Sequence, residues 1–537
     1  MAYRRLAKCL FIAQAASAGN DFTGVCRGQR VCYRLARVTP PQGMGAGKER
    51  AMNGSDFRRT KIVATIGPAS SDRAMLLALM EAGADVFRLN FSHGQHADLA
   101  VIVATIRELS QQRRRAVAIL GDLQGPKIRT GRMEGGQMLL TAGDAVTITT
   151  AECLGANGVI PTIYRALPQD VRPGDRILMD DGLLELAVDA VTEQEVRCTV
   201  VVGGLLKDRK GINLPGVAVS APALTEKDLE DLAFCIDQKL DFVALSFVRT
   251  ADDVISLKEI LTRRQSALRV IAKIEKPEAV DNFEAILAVT DGVMVARGDL
   301  GVEVNPERVP LIQKQIIRLC NRAGKPVITA TQMLESMIGS PRPTRAETSD
   351  VANAILDGTD AVMLSAETAS GRYPCEAVAM MVRIAHDVEA DPLLKEQVFH
   401  PLPVERGYPS LPEAIGQAAC HVATAVEAAA ILAFTQTGST AALVAKYRPQ
   451  MPVYAVTPEQ AVRRRMALYA GVRSLRVDIE GDTETQIRSV EAAVLASGVL
   501  KKGDVVVITM GSPVSDPGTT NLLKIHRLGT GPYFEVH

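Results

Sequence analysis

Eight times along this chain a short β-branched run gives way to a helix-like stretch, and that rhythm restricts the fold more than any other feature. From Thr60 onward the runs are TKIVATIGP, DVFRLNFS, AVAILGDLQGP, DFVALSFV, RVIAKIEKP, DGVMVARGDL, KPVITATQML and DAVMLSAET. Between most of them lie amphipathic segments such as DRAMLLALMEAGA and PERVPLIQKQIIRLCNRAG, the second ending in an Ala-Gly helix stop. Continuous apolar runs with helical connections indicate parallel strands buried on both faces. Eight units close a (β/α)8 barrel; a doubly wound open sheet is the rival. The barrel is favoured because no GxGxxG follows any strand and because polar residues gather at the strands' C-terminal ends, where barrels place their chemistry.

One gap breaks the rhythm. About 115 residues separate the third run from the fourth, too many for a loop. Within the gap, QMLLTAGDAVTITT, DRILMDDGLLELAV and EVRCTVVVGG alternate polar and apolar residues between Gly, Asp and Pro turns. The expected organisation is therefore an α/β chain: a (β/α)8 barrel over 52–126 and 224–390, and an inserted all-β lid over 127–223. A proline-punctuated linker, PLPVERGYPSLP, then leads into a C-terminal open α/β domain within 391–537. The first 51 residues hold nine Lys or Arg against only Asp21 and Glu49. They read either as a targeting segment or as the product of an upstream start, with Met52 the favoured true beginning, and stand outside fold reasoning.

Composition removes several classes. A length of 537 residues calls for more than one core. Lys plus Arg equals Asp plus Glu and there is no tryptophan, so nothing recruits nucleic acid or an anionic membrane. No apolar run is long enough to span a bilayer. Nine cysteines without CxxC spacing fit a reducing compartment, and a cytoplasmic location is expected.

Chemistry points to the strand ends. In IAKIEKP, Lys273 and Glu275 share one face of a strand, which sets an anion beside a cation in an apolar run. Arg88, Asp122, Lys273, Glu275, Asp299, Thr331 and Glu367 all fall at or just past strand ends. Singly each reads as a salt bridge or a turn; on one barrel rim they face one volume. Glu275 and Asp299, from adjacent strands, suit Mg2+ or Mn2+. Arg88 and Arg129 offer forks that fit phosphate, and Gly298 and Gly301 admit close backbone approach. Such equipment suits phosphoryl transfer, while the absence of GxxxxGK[ST] excludes a P-loop kinase.

These residues and their order resemble the pyruvate kinase family over residues 58–537. The motifs are TKIVATIGPAS, RLNFSHG, IAKIEKPE, DGVMVARGDLGVE, ATQMLESM, PTRAETSDVANA and MLSAETASGRYP. The resemblance implies transfer of the phosphoryl group of phosphoenolpyruvate to ADP, in a homotetramer. It implies that Lys273 stabilises the migrating group and that Glu275 and Asp299 hold the divalent metal. Arg88 would bind phosphate, Gly298, Asp299 and Thr331 the substrate, and Arg129 and His93 the nucleotide or phosphate side. Ser336, Glu335 and Glu367 read equally as supports, and Asp180 and Asp181 in the DDG stretch as a turn.

One departure from the family pattern is informative. Many relatives hold potassium with the Asn and Ser of NFS and with the Asp and Thr of DTKGPEIR. Here Asn90, Ser92 and Asp122 remain, but the stretch reads DLQGPKIR. Leu123 removes an oxygen ligand and Lys127 brings a tethered cation, so a potassium-independent enzyme is expected. In the C-terminal domain, Thr435, Thr437, Gly438, Ser439 and Thr440 form a small-residue loop that can cradle phosphate, and the resemblance implies a sugar-phosphate or nucleotide effector there.

Overall fold

The computed structural model describes residues 57–92, 94–391, 410–478, 481–511 and 520–530. The N-terminal extension and most of the proline-punctuated linker lie outside them.

Strand β1 (Lys61–Ile66) shows why the chain closes on itself. All six residues are buried: Ile62, Ala64 and Ile66 face the layer of helices, while Val63 faces the barrel interior. The chain continues through β2 (Val86–Asn90) and β3 (Ala118–Asp122), then leaves the barrel. The excursion contains β4 (Gln137–Leu140), β5 (Ala145–Thr149), β6 (Val159–Pro161), β7 (Arg176–Met179), β8 (Leu184–Val191), β9 (Glu195–Val202), β10 (Gly204–Lys207) and β11 (Ile212–Asn213). It returns as β12 (Phe242–Leu245), β13 (Arg269–Ile274), β14 (Gly292–Ala296), β15 (Val327–Ala330) and β16 (Ala361–Leu364). The eight barrel strands close in the order β1-β16-β15-β14-β13-β12-β3-β2, every pair parallel. All eight runs seen in the sequence are barrel strands.

The inserted strands form a six-stranded sheet, β11-β7-β8-β9-β5-β6, and a β10-β4 pair around their own core. After the barrel come β17 (Ala430–Phe434), β18 (Val453–Thr457), β19 (Val472–Arg476), β20 (Val505–Met510) and β21 (Leu522–Arg527), ordered β19-β18-β17-β20-β21. Separate apolar clusters cover its two faces, as in an open α/β sheet. Strand β21 pairs antiparallel with β20 and is absent from the sequence reading; LLKIHR is an edge strand with polar residues, not a continuous apolar run.

Both ends of the barrel are specialised. At the bottom, Asp85, Asp241, Asp291 and Asp360 stand just before β2, β12, β14 and β16. Each accepts the backbone N–H of a neighbouring strand, from Ile62, Ile119, Val270 and Val327 at 2.8–3.0 Å. The C-terminal domain is bound to this ring: Arg448 pairs with Asp360 at 2.9 Å and Arg464 with Asp241 at 2.7 Å. Just after Arg464 in sequence, Ala467 and Leu468 enter the barrel's interior cluster. That end is thereby closed, leaving the C-terminal mouth for chemistry.

Burial works against the charge of Asp85, but Arg58, Lys61, Arg115 and the Ile62 N–H outweigh it and hold its pKa at about 2. A carboxylate with a depressed folded pKa stabilises fully above its ordinary titration range, and the contribution is lost as pH falls through the folded value. The expected contribution is about 2 kcal/mol at neutral pH. Thermal midpoints of wild type and Asp85→Asn should differ at pH 7 and converge as pH approaches 2. A gap that stays constant across that range would contradict the assignment.

Candidate active site

Alternation along each strand builds the mouth. Interior positions are apolar at the waist and become polar two residues further on: Val63 leads to Thr65, Val86 to Arg88, Leu120 to Asp122, Ala244 to Ser246 and Ile271 to Lys273. Closing the barrel brings these side chains together. Arg88 donates from Nε to Asp122 at 2.6 Å and from Nη1 to Thr65 Oγ1 at 3.0 Å. Lys273 Nζ lies 2.9 Å from Glu275 Oε1 and 3.3 Å from Asp122 Oδ1, and donates to Ser246 Oγ at 2.7 Å.

The charges shift one another. Burial opposes the Lys273 ammonium, but Asp122 and Glu275 outweigh it and raise its pKa. Burial also pushes Asp122 upward, yet Lys273 and Arg88 hold its carboxyl below the usual range. Glu275 is raised by burial, with Asp299 adding to the effect against the pull of Lys273. Glu275 is fully buried; Oε2 accepts the Phe247 N–H at 2.7 Å, while Oε1 has no aligned hydrogen-bond donor despite its nearness to Lys273. A carboxylate oxygen that takes no hydrogen bond, with the partly exposed Asp299 near enough to raise the pKa of its carboxyl, fits a hard divalent cation that takes its other ligands from water and substrate. Among the described residues no group of three His, Cys, Asp or Glu is arranged to hold a metal, so the protein would supply two carboxylates only.

Two backbone stretches at the rim are strained. Phe247 has φ 54°, and Thr331 and Gln332 have φ 69° and 53°. The left-handed region costs a non-glycine residue roughly 1–2 kcal/mol. Thr331 Oγ1 accepts the Gly298 N–H at 2.7 Å and donates to the Ala330 carbonyl at 2.6 Å. Arg297 holds the turn, donating from Nη2 to the Thr331 and Gln332 carbonyls at 2.8 and 3.3 Å while Asp350 anchors it at 2.8 Å.

Comparison with known proteins identifies the family. A family model described as "Pyruvate kinase, barrel domain" matches residues 57–378, and one described as "Pyruvate kinase, alpha/beta domain" matches residues 413–526. The chain belongs to the pyruvate kinase family. It is a phosphotransferase. The pyruvate kinase of Geobacillus stearothermophilus is 49% identical over 472 residues, covering 87% of this chain and 80% of that one. That of Mycobacterium intracellulare is 48% identical over 472 residues, covering 88% and 99%. A solved structure of a pyruvate kinase from Cryptosporidium parvum superposes with TM-score 0.81 at 38% identity, covering 89% of this chain and 97% of that one.

Within this member of the pyruvate kinase family, the other expected site residues fall in different places. Asn90 and Ser92 form a local turn, the Ser92 N–H donating to Asn90 Oδ1 at 3.1 Å. Lys127 pairs with Asp299 at 3.6 Å, while Asp122, of the same expected cation region, is engaged by Arg88 and Lys273. Arg129 sits at the base of the lid, with Nη1 donating to the Arg209 carbonyl at 3.3 Å. His93 lies outside the described residues. Ser336 donates from its N–H and hydroxyl to Glu347. Glu367 accepts the Leu334 and Ser365 N–H groups, bracing the rim. Asp180 and Asp181 have φ 53° and 56°, a tight turn, and Lys210 pairs with Asp180 at 2.7 Å. The lid touches the barrel where Asn213 donates to Glu303 at 2.9 Å. In the C-terminal loop, Thr435 Oγ1 accepts the Gly438 N–H at 2.8 Å, Thr437 donates to Ser439 at 3.0 Å, and Thr440 meets Thr520 at 3.0 Å.

Sequence reasoning passed over Ser246, Phe247 and Arg297, whose residue types carry no signal of their role. Arg297→Met removes the donors that hold the strained turn and should cost about 2–3 kcal/mol. Calorimetry reads this as a lower melting temperature; an unchanged midpoint would show that the turn needs no clamp.

Proposed function

We propose that the enzyme transfers the phosphoryl group of phosphoenolpyruvate to ADP, giving pyruvate and ATP in glycolysis, as a cytoplasmic homotetramer. The observation that carries this reading is the buried cluster of Arg88, Asp122, Lys273 and Glu275 at the single open end of the barrel. Two cations held in fixed positions by carboxylates are preorganised for a migrating anionic group, which needs charge stabilisation more than covalent help.

In this reading Lys273 faces the phosphoryl oxygens in flight and Arg88 binds the phosphate before transfer. The P–O bond to the enol oxygen breaks as a new one forms to the terminal oxygen of ADP, and the enolate carbon then takes a proton. Thr331 and the Gly298 backbone contact the carboxylate end of the substrate, and Arg129 and His93 the nucleotide or phosphate side. Glu275 and Asp299 would hold Mg2+ or Mn2+, which would neutralise charge on the carboxylate and enolate oxygens. The lid, tied to the rim through Asn213 and Glu303, would exclude water on closure. The Thr435–Thr440 loop would take a sugar-phosphate or nucleotide effector.

Potassium independence belongs to the same reading. The Leu123 side chain is buried in the apolar layer behind the strands and offers no oxygen. Lys127 brings a tethered ammonium group to the mouth on the Asp299 side.

A coupled assay for ADP-dependent pyruvate release should give rates within about twofold with and without potassium at constant ionic strength, since a tethered charge needs no replacement. Strong activation by potassium would remove that part of the reading. Lys273→Met should lower kcat by at least about 100-fold. Glu275→Gln should weaken Mn2+ binding, followed by electron paramagnetic resonance of the free ion, on the order of 100-fold. Unaltered Mn2+ affinity would place the metal elsewhere.

A further inference from the structure

The turn after β12 holds Lys273 and Glu275 of IAKIEKP without carrying a charge itself. Ser246 occupies the inward position that follows Phe242 and Ala244. Its hydroxyl donates to the Leu123 carbonyl at 2.7 Å and accepts from Lys273 Nζ at 2.7 Å. A hydroxyl has one proton; with that proton committed to Leu123, the lone pairs are left for the ammonium. The next residue, Phe247, is the strained one, and its N–H fixes Glu275 Oε2. One dipeptide therefore aims the lysine by a side chain and the carboxylate by its backbone.

The same turn is the seat of the loop entering the lid. Gly125, at φ 68°, lies so close that an added Cβ would stand 2.9 Å from Phe247 Cδ2 and 3.0 Å from Ser246 Cβ. Leu123, whose carbonyl receives the Ser246 proton, begins that loop. Attraction of Lys273 to Asp122 and Glu275 retains its charge in the mouth but has little direction, because Coulomb energy varies slowly with angle. The hydrogen bond to Ser246 supplies the direction.

We infer that Ser246 is a positioning residue for phosphoryl transfer, fixing the Lys273 ammonium to the backbone that leads into the lid. The inference rests on the role proposed above for Lys273. Ser246→Ala and the near-isosteric Ser246→Cys, whose sulfur is a weak acceptor, are assayed as full-length proteins with phosphoenolpyruvate, ADP and Mg2+ beside wild type and Lys273→Met. Misplacing a catalytic group lowers turnover more than binding. Both variants should lose about 10–100-fold in kcat, with KM for phosphoenolpyruvate within about threefold of wild type. If Ser246→Ala fails to fold, Ser246→Cys is read by the same criteria. The inference is overturned if the folded variants keep kcat within about twofold, or if kcat falls and KM rises by equal factors, the pattern of a general packing defect. Full activity in Lys273→Met would instead overturn the role of the lysine, and this inference with it.

Discussion

An ammonium buried between two carboxylates is the interaction around which this molecule is arranged. Lys273 has little access to solvent, and desolvation alone would favour its neutral form. It stays charged because Asp122 lies on one side and Glu275 on the other, with Arg88 balancing Asp122. Removing any single member would leave a buried ion uncompensated, which is far costlier than a surface charge. The cluster is thus an electrostatic unit, and the strands that carry it must close in one register for it to exist.

The rest of the fold supplies that register. Aspartates before four strands take N–H groups of their neighbours at the bottom of the barrel, and arginines of the C-terminal domain pair with two of them. Ala467 and Leu468 complete the apolar interior from below. The C-terminal domain has its own sheet, yet it also fills the core of the catalytic one. From that closed base, alternation carries each strand upward from apolar interior to polar mouth. Near the top, the lid's entry loop packs on Ser246 and Phe247, so the insertion begins against the residues that aim the site.

The barrel strands were legible in the sequence because burial on both faces leaves a continuous apolar run. The short strands β6, β10 and β11 and the edge strand β21 were not: Val159–Pro161 ends in proline, Ile212–Asn213 is two residues long, and LLKIHR is half-buried. Lys273 and Glu275 stood out as ions inside apolar stretches. Ser246 and Phe247 did not, since their contributions are the direction of a hydroxyl and of a backbone N–H. Lys127 was legible as a charge but not as a partner of Asp299, because that pairing depends on where the entry loop crosses the mouth.

By itself, the sequence determined the number of barrel strands, their burial on both faces and the ion types at their ends, because side-chain alternation and hydrophobic patterning are local properties. Tertiary structure alone decided which ion meets which, which hydroxyl receives the lysine and which domain closes the barrel's base. Those are distances between segments tens to hundreds of residues apart. They are fixed only when the eighth strand pairs with the first and the ring's register becomes common to all.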